Sequence, residues 1–272
     1  MKGLEFAIIR YGYIWNDLGW NVALPYIMSK NNREKYGEFL PFPGSCILIK
    51  HPDAGYILYD VGDYNDAPRP DFFEENFPVE IKEGDRIDEQ LIRNGIELND
   101  ISTIILSHLH FDHANGIKYF SGTRGGQNVY ASKADFLQAC ESCMLEDWGK
   151  DSTSTYWKNT LTCPGIKYNL IEEDTELFPG VHLILLEGHT AGVIGLLLEL
   201  EGGNYLFPND ACGSRLNYGP PAKTPGIIYD SLGFKRCIKK LNRLEKEYNA
   251  TIIYSHDRFQ DKETKKFPEF YK

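Results

Sequence analysis

Between residues 107 and 113 the chain reads Ser107-His108-Leu109-His110-Phe111-Asp112-His113, directly after the apolar stretch Thr103-Ile104-Ile105-Leu106. Three histidines and an aspartate fall within six positions of a chain that has only seven histidines. A short apolar run of this kind reads as a buried strand. The end of a strand is rigid enough to aim several side chains at one point, so the pattern predicts a metal site rather than a cluster of solvent-facing imidazoles.

Further candidates obey the same rule. His189 follows the strand-like run 181–187, Asp210 follows 204–208, and His256 follows 251–255. The full set is His108, His110, Asp112, His113, His189, Asp210 and His256. It exceeds the four ligands of a structural zinc and the three of a mononuclear catalytic one. It suffices for two metals sharing a carboxylate. His51 and His182 lie in a turn and inside a strand, and both are expected to be structural.

The remainder of the chain organises around these strand ends. Residues 4–14 and 45–60 read as strands, the second folded back on itself at the turn 51–55. Residues 87–96 look helical, 129–131 form a short strand, and a helix is expected over 132–143, opened by Ser132 with Asp135 three residues on, a near capping box. Three strands follow at 181–187, 193–200 and 204–208. The clearest helix spans about 230–249, where Phe234, Ile238, Leu241, Leu244 and Tyr248 recur at three- and four-residue steps. Strands, a helix, more strands, then helix and strand predict two packed sheets with helices outside, built as two similar halves. Two stretches fit no period: 11–44, with Tyr11, Tyr13, Trp15, Trp20 and Tyr26, and 144–176, with Trp148, Tyr156 and Trp157. Such segments wall a pocket, form an oligomer interface, or are anchored by buried aromatics.

Composition narrows the function classes. With 39 acids against 29 bases the net charge is −10, and an acidic chain repels phosphate backbones, so no nucleic-acid partner is expected. No apolar run reaches the eighteen residues of a membrane span. The opening residues show no apolar run ending in a small-residue cleavage site, which predicts a cytoplasmic protein without a signal peptide. Six cysteines are too few and scattered for a disulfide framework, and Cys140-x-x-Cys143 lacks the second pair of a zinc site.

The series H-x-H-x-D-H, a histidine in a Gly-His-Thr turn (188–190), then Asp210, then His256, resembles the metallo-β-lactamase superfamily, from Asp60-Val61-Gly62 to His256. The resemblance implies an α+β, four-layer αββα sandwich and a single hydrolase domain over 1–272. It implies that His108, His110 and His189 hold one metal, that Asp112, His113 and His256 hold the other, that Asp210 bridges them, and that Asp60 orients a ligand from behind. It implies two divalent ions, zinc first, with manganese, iron or cobalt also suited to such donors.

Within that superfamily the chain is most similar to the lactonases acting on N-acyl homoserine lactones or on 4-pyridoxolactone. The resemblance therefore implies a lactone or ester substrate, a ring opened by a hydroxide bridging the metals, Asp112 carrying the proton to the leaving oxygen, and a homodimer. The alternatives are a phosphodiesterase, a thioesterase of the glyoxalase II type, and a catalytically silent binding protein. One position departs from the pattern. Homoserine lactonases of this kind carry a tyrosine three residues after the bridging aspartate, where this chain has Gly213; Tyr218, in the same loop, is expected to supply the hydroxyl.

Overall fold

The computed structural model describes residues 1–24, 30–31, 37–145 and 152–272; Tyr26 and Trp148 lie outside the described residues. The first seven strands form one sheet: β1 (Glu5–Asp17), β2 (Phe39–His51), β3 (Gly55–Tyr59), β4 (Val79–Glu80), β5 (Ile101–Ile105), β6 (Val129–Ser132) and β7 (Tyr168–Ile171), in the spatial order β4-β1-β2-β3-β5-β6-β7. The last five form the other: β8 (Thr175–Phe178), β9 (Val181–Leu186), β10 (Val193–Leu200), β11 (Gly203–Phe207) and β12 (Ala250–Ile252), in the order β12-β11-β10-β9-β8. The two halves expected from the order of elements are thus one sheet each.

Burial explains the layering. Phe6, Ile8, Ile49 and Tyr59 of the first sheet pack against Leu183, Ile194, Leu196 and Phe207 of the second, forming the core between the sheets. The outer face of the first sheet buries Leu48, Leu58 and Ile104 against helices 87–93 and 133–145 through Leu91 and Ala139. The outer face of the second buries Leu197 and Leu206 against Cys237, Leu241 and Leu244 of helix Ser231–Tyr248. Helix, sheet, sheet, helix is the αββα order. Among the described residues no helix is long and apolar enough to cross a membrane.

Two expectations change. The stretch 11–44, read as aperiodic, is strand at both its ends: β1 continues to Asp17 and β2 starts at Phe39. Its N-terminal end carries Pro41 and Pro43, and there β2 pairs with β1 alone, because β3 pairs only with residues 47–51. Proline is tolerated on such an open edge. Helix 133–145 opens after Ser132 as expected, but the capping box is half made: Ser132 Oγ accepts from Asp135 N at 3.5 Å, while the Asp135 carboxylate turns elsewhere.

All six cysteines are free of disulfides. His51 and His182 are structural, as expected. His51 Nε2 meets the Pro179 carbonyl at 3.0 Å and its Nδ1 accepts from Ala54 N at 3.0 Å; His182 pairs with Glu199 on the neighbouring strand at 2.6 Å.

Candidate metal centre

Four strand ends converge at one rim of the sandwich. The turn after β5 delivers His108 and His110, and the short helix Phe111–Ala114 that follows delivers Asp112 and His113. Those residues come from the first sheet. The second sheet contributes His189 after β9, Asp210 in the turn after β11 and His256 after β12. All seven predicted ligands come together, in two sets: His108, His110 and His189; and Asp112, His113, Asp210 and His256.

Asp210 lies between the sets. Its Oδ2 is 3.6 Å from His189 Nε2 and 3.5 Å from His113 Nε2, and its Oδ1 is 3.1 Å from His256 Nε2. Asp112 Oδ2 stands 3.5 Å from His113 Nε2 and 3.7 Å from His256 Nε2. Ligands about 2.0–2.2 Å from a tetrahedral ion lie about 3.4 Å from one another, so this spacing fits cations between the donors. The orphaned atoms agree: the Nε2 atoms of His108 and His113 are buried with no hydrogen-bond partner. A buried nitrogen in that state is costly unless something takes its lone pair.

The opposite edge of most rings is tied down, which fixes the tautomer and the aim of Nε2. His113 Nδ1 meets Asp60 Oδ2 at 2.9 Å, His108 Nδ1 meets Ser107 Oγ at 3.0 Å, His189 Nδ1 meets the Ile227 carbonyl at 3.0 Å, and His256 Nδ1 meets the Pro43 carbonyl at 2.9 Å. His110 is turned the other way, with its Nδ1 3.0 Å from His189 Nε2. Asp60 is the hub behind the site. It accepts from Ser107 N at 2.7 Å, from Ser107 Oγ at 2.9 Å and from Asn209 Nδ2 at 2.8 Å.

Electrostatics separates the two sets. Burial, reinforced by neighbouring imidazoles, holds His108 and His110 well below the ordinary histidine value, and burial also lowers His189. These three are neutral and ready to donate lone pairs. Burial opposes charge on His113 and His256 too, but the facing carboxylates Asp112 and Asp210, with Asp60 for His113, raise both. In return, and against the upward push of burial, His113 pulls Asp112 down to about 2, and His256 with His113 holds Asp210 well below the carboxylate range.

Several supporting residues escaped the sequence reading. Asp135 Oδ2 accepts from the amide of Leu109, between the first two ligands, at 2.8 Å, and its Oδ1 accepts from Tyr156 Oη at 2.8 Å. The Tyr156 ring in turn lies edge-on to His110, centroids 4.8 Å apart. Ser255 Oγ donates to Asp210 Oδ1 at 2.7 Å. Tyr11 sits at a bulge of β1 and donates from Oη to the Asp112 carbonyl at 2.7 Å. The absent Cβ of Gly44 and of Gly62 leaves the room that its ring occupies.

The cleft over the ligands is walled by Ile14, Trp20, Phe77, Phe111 and Ile227, with Asn16, Asn21, Thr155 and Asn217 as polar members. Its described lining includes no lysine or arginine. The aromatic stretches therefore contribute Trp20 to the cleft wall itself, while Tyr156 and Trp157 back it: Trp157 stacks on Phe111 at 5.5 Å. Tyr218 is not brought there. Its hydroxyl donates to Glu245 on helix 231–248 and its ring packs beside Tyr254, so the expected replacement for the missing tyrosine is turned away from the ligands. At Gly213, which does line the cleft, a Cβ would meet only Ser255 Oγ at 3.4 Å and His256 Cδ2 at 3.8 Å.

The model of the metallo-beta-lactamase superfamily matches residues 40–256. The chain is 28% identical over 268 residues to the N-acyl homoserine lactonase AiiB of Agrobacterium fabrum, covering 95% of each. It is 32% identical over 249 residues to an N-acyl homoserine lactonase of a Bacillus species, covering 89% of this chain and 92% of that one. Among solved structures, an N-acyl homoserine lactone hydrolase with the product N-hexanoyl-L-homoserine bound at its catalytic metal centre superposes with a TM-score of 0.80 at 27% identity, covering 100% of both chains.

Proposed function

This chain belongs to the metallo-β-lactamase superfamily, and from that premise we propose that it is a metal-dependent lactonase opening the ring of an N-acyl homoserine lactone or a related lactone. The observation that carries the reading is the pair of ligand sets meeting at Asp210 beneath a cleft walled by Ile14, Trp20, Phe77, Phe111 and Ile227. A phosphodiester is held best where cationic side chains match its charge, and the described residues of the cleft lining include no lysine or arginine.

The residues divide the work. His108, His110 and His189 would hold one ion, Asp112, His113 and His256 the other, and Asp210 both. Two divalent ions so held supply Lewis acidity and a water of lowered pKa. Asp60, Ser107 and Ser255 keep the ligands aimed. The aromatic wall of Phe77, Phe111 and Trp20 takes the apolar part of the substrate and excludes bulk water. Asp112 lines the cleft beside His113 and His256, where its carboxylate is placed to accept the proton of the attacking water and pass it to the ring oxygen as the acyl C–O bond breaks. The product is the open hydroxy acid, with no redox change.

The same reading includes zinc, favoured by mixed nitrogen and oxygen donors. It includes a cytoplasmic location, consistent with six unpaired cysteines. It also includes a homodimer, for which exposed Tyr13, Trp20, Leu24 and Phe39 near the N-terminus offer apolar area. The test pairs elemental analysis with an indicator assay of acid release on acyl homoserine lactones of several lengths, γ- and δ-lactones, 4-pyridoxolactone and a chromogenic phosphodiester. About two metals per chain with lactone turnover, abolished by Asp210→Ala, is the expected result. Turnover of the phosphodiester alone, or full activity in Asp210→Ala, overturns the reading.

A further inference from the structure

The reaction above uses the metal ligands and the apolar wall but leaves the amides of the cleft without a role. On β1, Ile14 and Asn16 point to one face because side chains alternate along a strand. Both line the cleft. Asn16 is a polar residue only 6% exposed, in a position where an apolar one would continue the wall. Its orientation is held: Asn16 Oδ1 accepts from Asn21 Nδ2 at 2.6 Å. Asn21 in turn gives its main-chain carbonyl to Asn217 Nδ2 at 3.0 Å, and Asn217 Oδ1 accepts from Ser214 Oγ at 2.7 Å. Ser214 lies four residues beyond Asp210, so this run of hydrogen bonds ties the Asn16 amide to the loop that carries the bridging ligand.

With its oxygen engaged, Asn16 has one free end. Nδ2 donates to no group among the described residues, and Asn16 belongs to the lining of the cleft. A donor held in place at the cleft surface is served by water until a ligand brings an acceptor. The acceptor it suits is neutral. A carboxylate or phosphate would bring a charge into a cleft whose described lining has no lysine or arginine, whereas a carbonyl oxygen asks only for an N–H.

Resting on the lactonase reading, we propose that Asn16 is a specificity-determining residue: its Nδ2 donates to a carbonyl oxygen on the substrate arm outside the ring being opened. The enzyme then prefers a lactone with an acylamino arm to the same ring with a plain alkyl arm of equal length. Asn21 and Asn217 are positioning residues that hold the amide in that orientation.

The experiment compares kcat/KM of the metal-loaded enzyme on N-hexanoyl homoserine lactone and on a γ-butyrolactone bearing an alkyl arm of matching length. The readout is the ratio of the two values. Asn16→Ala is expected to lower the ratio about tenfold, chiefly through KM. Asn16→Asp, which keeps the size and the acceptor for Asn21 but turns an oxygen toward the carbonyl, should lower it at least as far. It also serves if the alanine variant fails to fold. A ratio unchanged in both variants overturns the proposal, because a purely structural residue would lower both activities together. If the wild-type enzyme opens neither lactone, it is the lactonase reading that falls.

Discussion

Asn209 donates from Nδ2 to Asp60 Oδ2 at 2.8 Å across 149 residues of chain, and both residues sit in the left-handed backbone region, with φ of 51° and 63°. Neither is glycine, so each conformation costs on the order of 1 kcal/mol and persists because its surroundings hold it. The strain has a location with meaning. Asp60 steers His113 from the first sheet, and Asn209 immediately precedes Asp210 in the second.

Asp60→Asn should therefore weaken metal binding without unfolding the protein. The amide cannot satisfy Ser107 N, Ser107 Oγ, Asn209 and His113 as a carboxylate does. A loss of about 10- to 100-fold in affinity is expected, measured by competition with a chromogenic chelator. Unchanged affinity would remove Asp60 from the support of the centre.

Asp135 sets a pH dependence. Burial raises its carboxyl to about 6, against the lowering influence of Tyr156, Thr190 and the Leu109 amide. A folded-state pKa above the unfolded one contributes stability that is complete below about 4 and is lost as pH rises through about 6. Two units correspond to roughly 3 kcal/mol as an upper order of magnitude. In Asp135→Asn the side-chain oxygen can still accept from Leu109 N while the amide donates to Tyr156 Oη. Subtracting wild-type from variant stability in metal-free protein should give a difference that climbs between pH 4 and 6; a flat difference would contradict the shift.

Gly213 and Gly44 should respond oppositely to alanine. Gly213 has φ of −69° and its Cβ would meet only ordinary contacts, so Gly213→Ala should stabilise by about 0.4–1 kcal/mol while narrowing the cleft and raising KM for bulky lactones. At Gly44 the added carbon would collide with the Tyr11 ring. Gly44→Ala should lower the melting temperature and, by moving Tyr11 off the Asp112 carbonyl, reduce kcat. Equal melting temperatures for the two variants would refute this contrast.

Tyr218→Phe should leave kcat within about twofold of wild type, since the hydroxyl serves Glu245 rather than the cleft. A tenfold fall, of the size one transition-state hydrogen bond gives, would place that hydroxyl in the reaction after all.

The seven candidate ligands could be singled out in the sequence because each stands in the turn or short helix just beyond a strand, so local order carries much of the three-dimensional pattern. His189, Asp210 and His256 needed no knowledge of how the sheets pack. Asp135 was hidden by ambiguity: a serine with an acid three residues later reads as a helix cap, and only the tertiary structure turns that carboxylate toward Leu109. Tyr156 was hidden by distance, since its contact with His110 spans an irregular stretch. The strands β1 and β2 were under-read because Tyr11 interrupts the register of one and two prolines mark the other. Those prolines lie where β2 has an open edge, which frees Pro43 to give its carbonyl to His256 and Pro41 to give its own to Arg258.

The division of the ligands between the sheets bears on how long the native state lasts. His108, His110, Asp112 and His113 come from one sheet and His189, Asp210 and His256 from the other, and each ligand set draws on both. Any excursion that parts the sheets must take both sets apart at once. Ion binding thus acts on the barrier to unfolding as well as on the equilibrium, so the lifetime of the fold, more than its midpoint, should follow the metal supply.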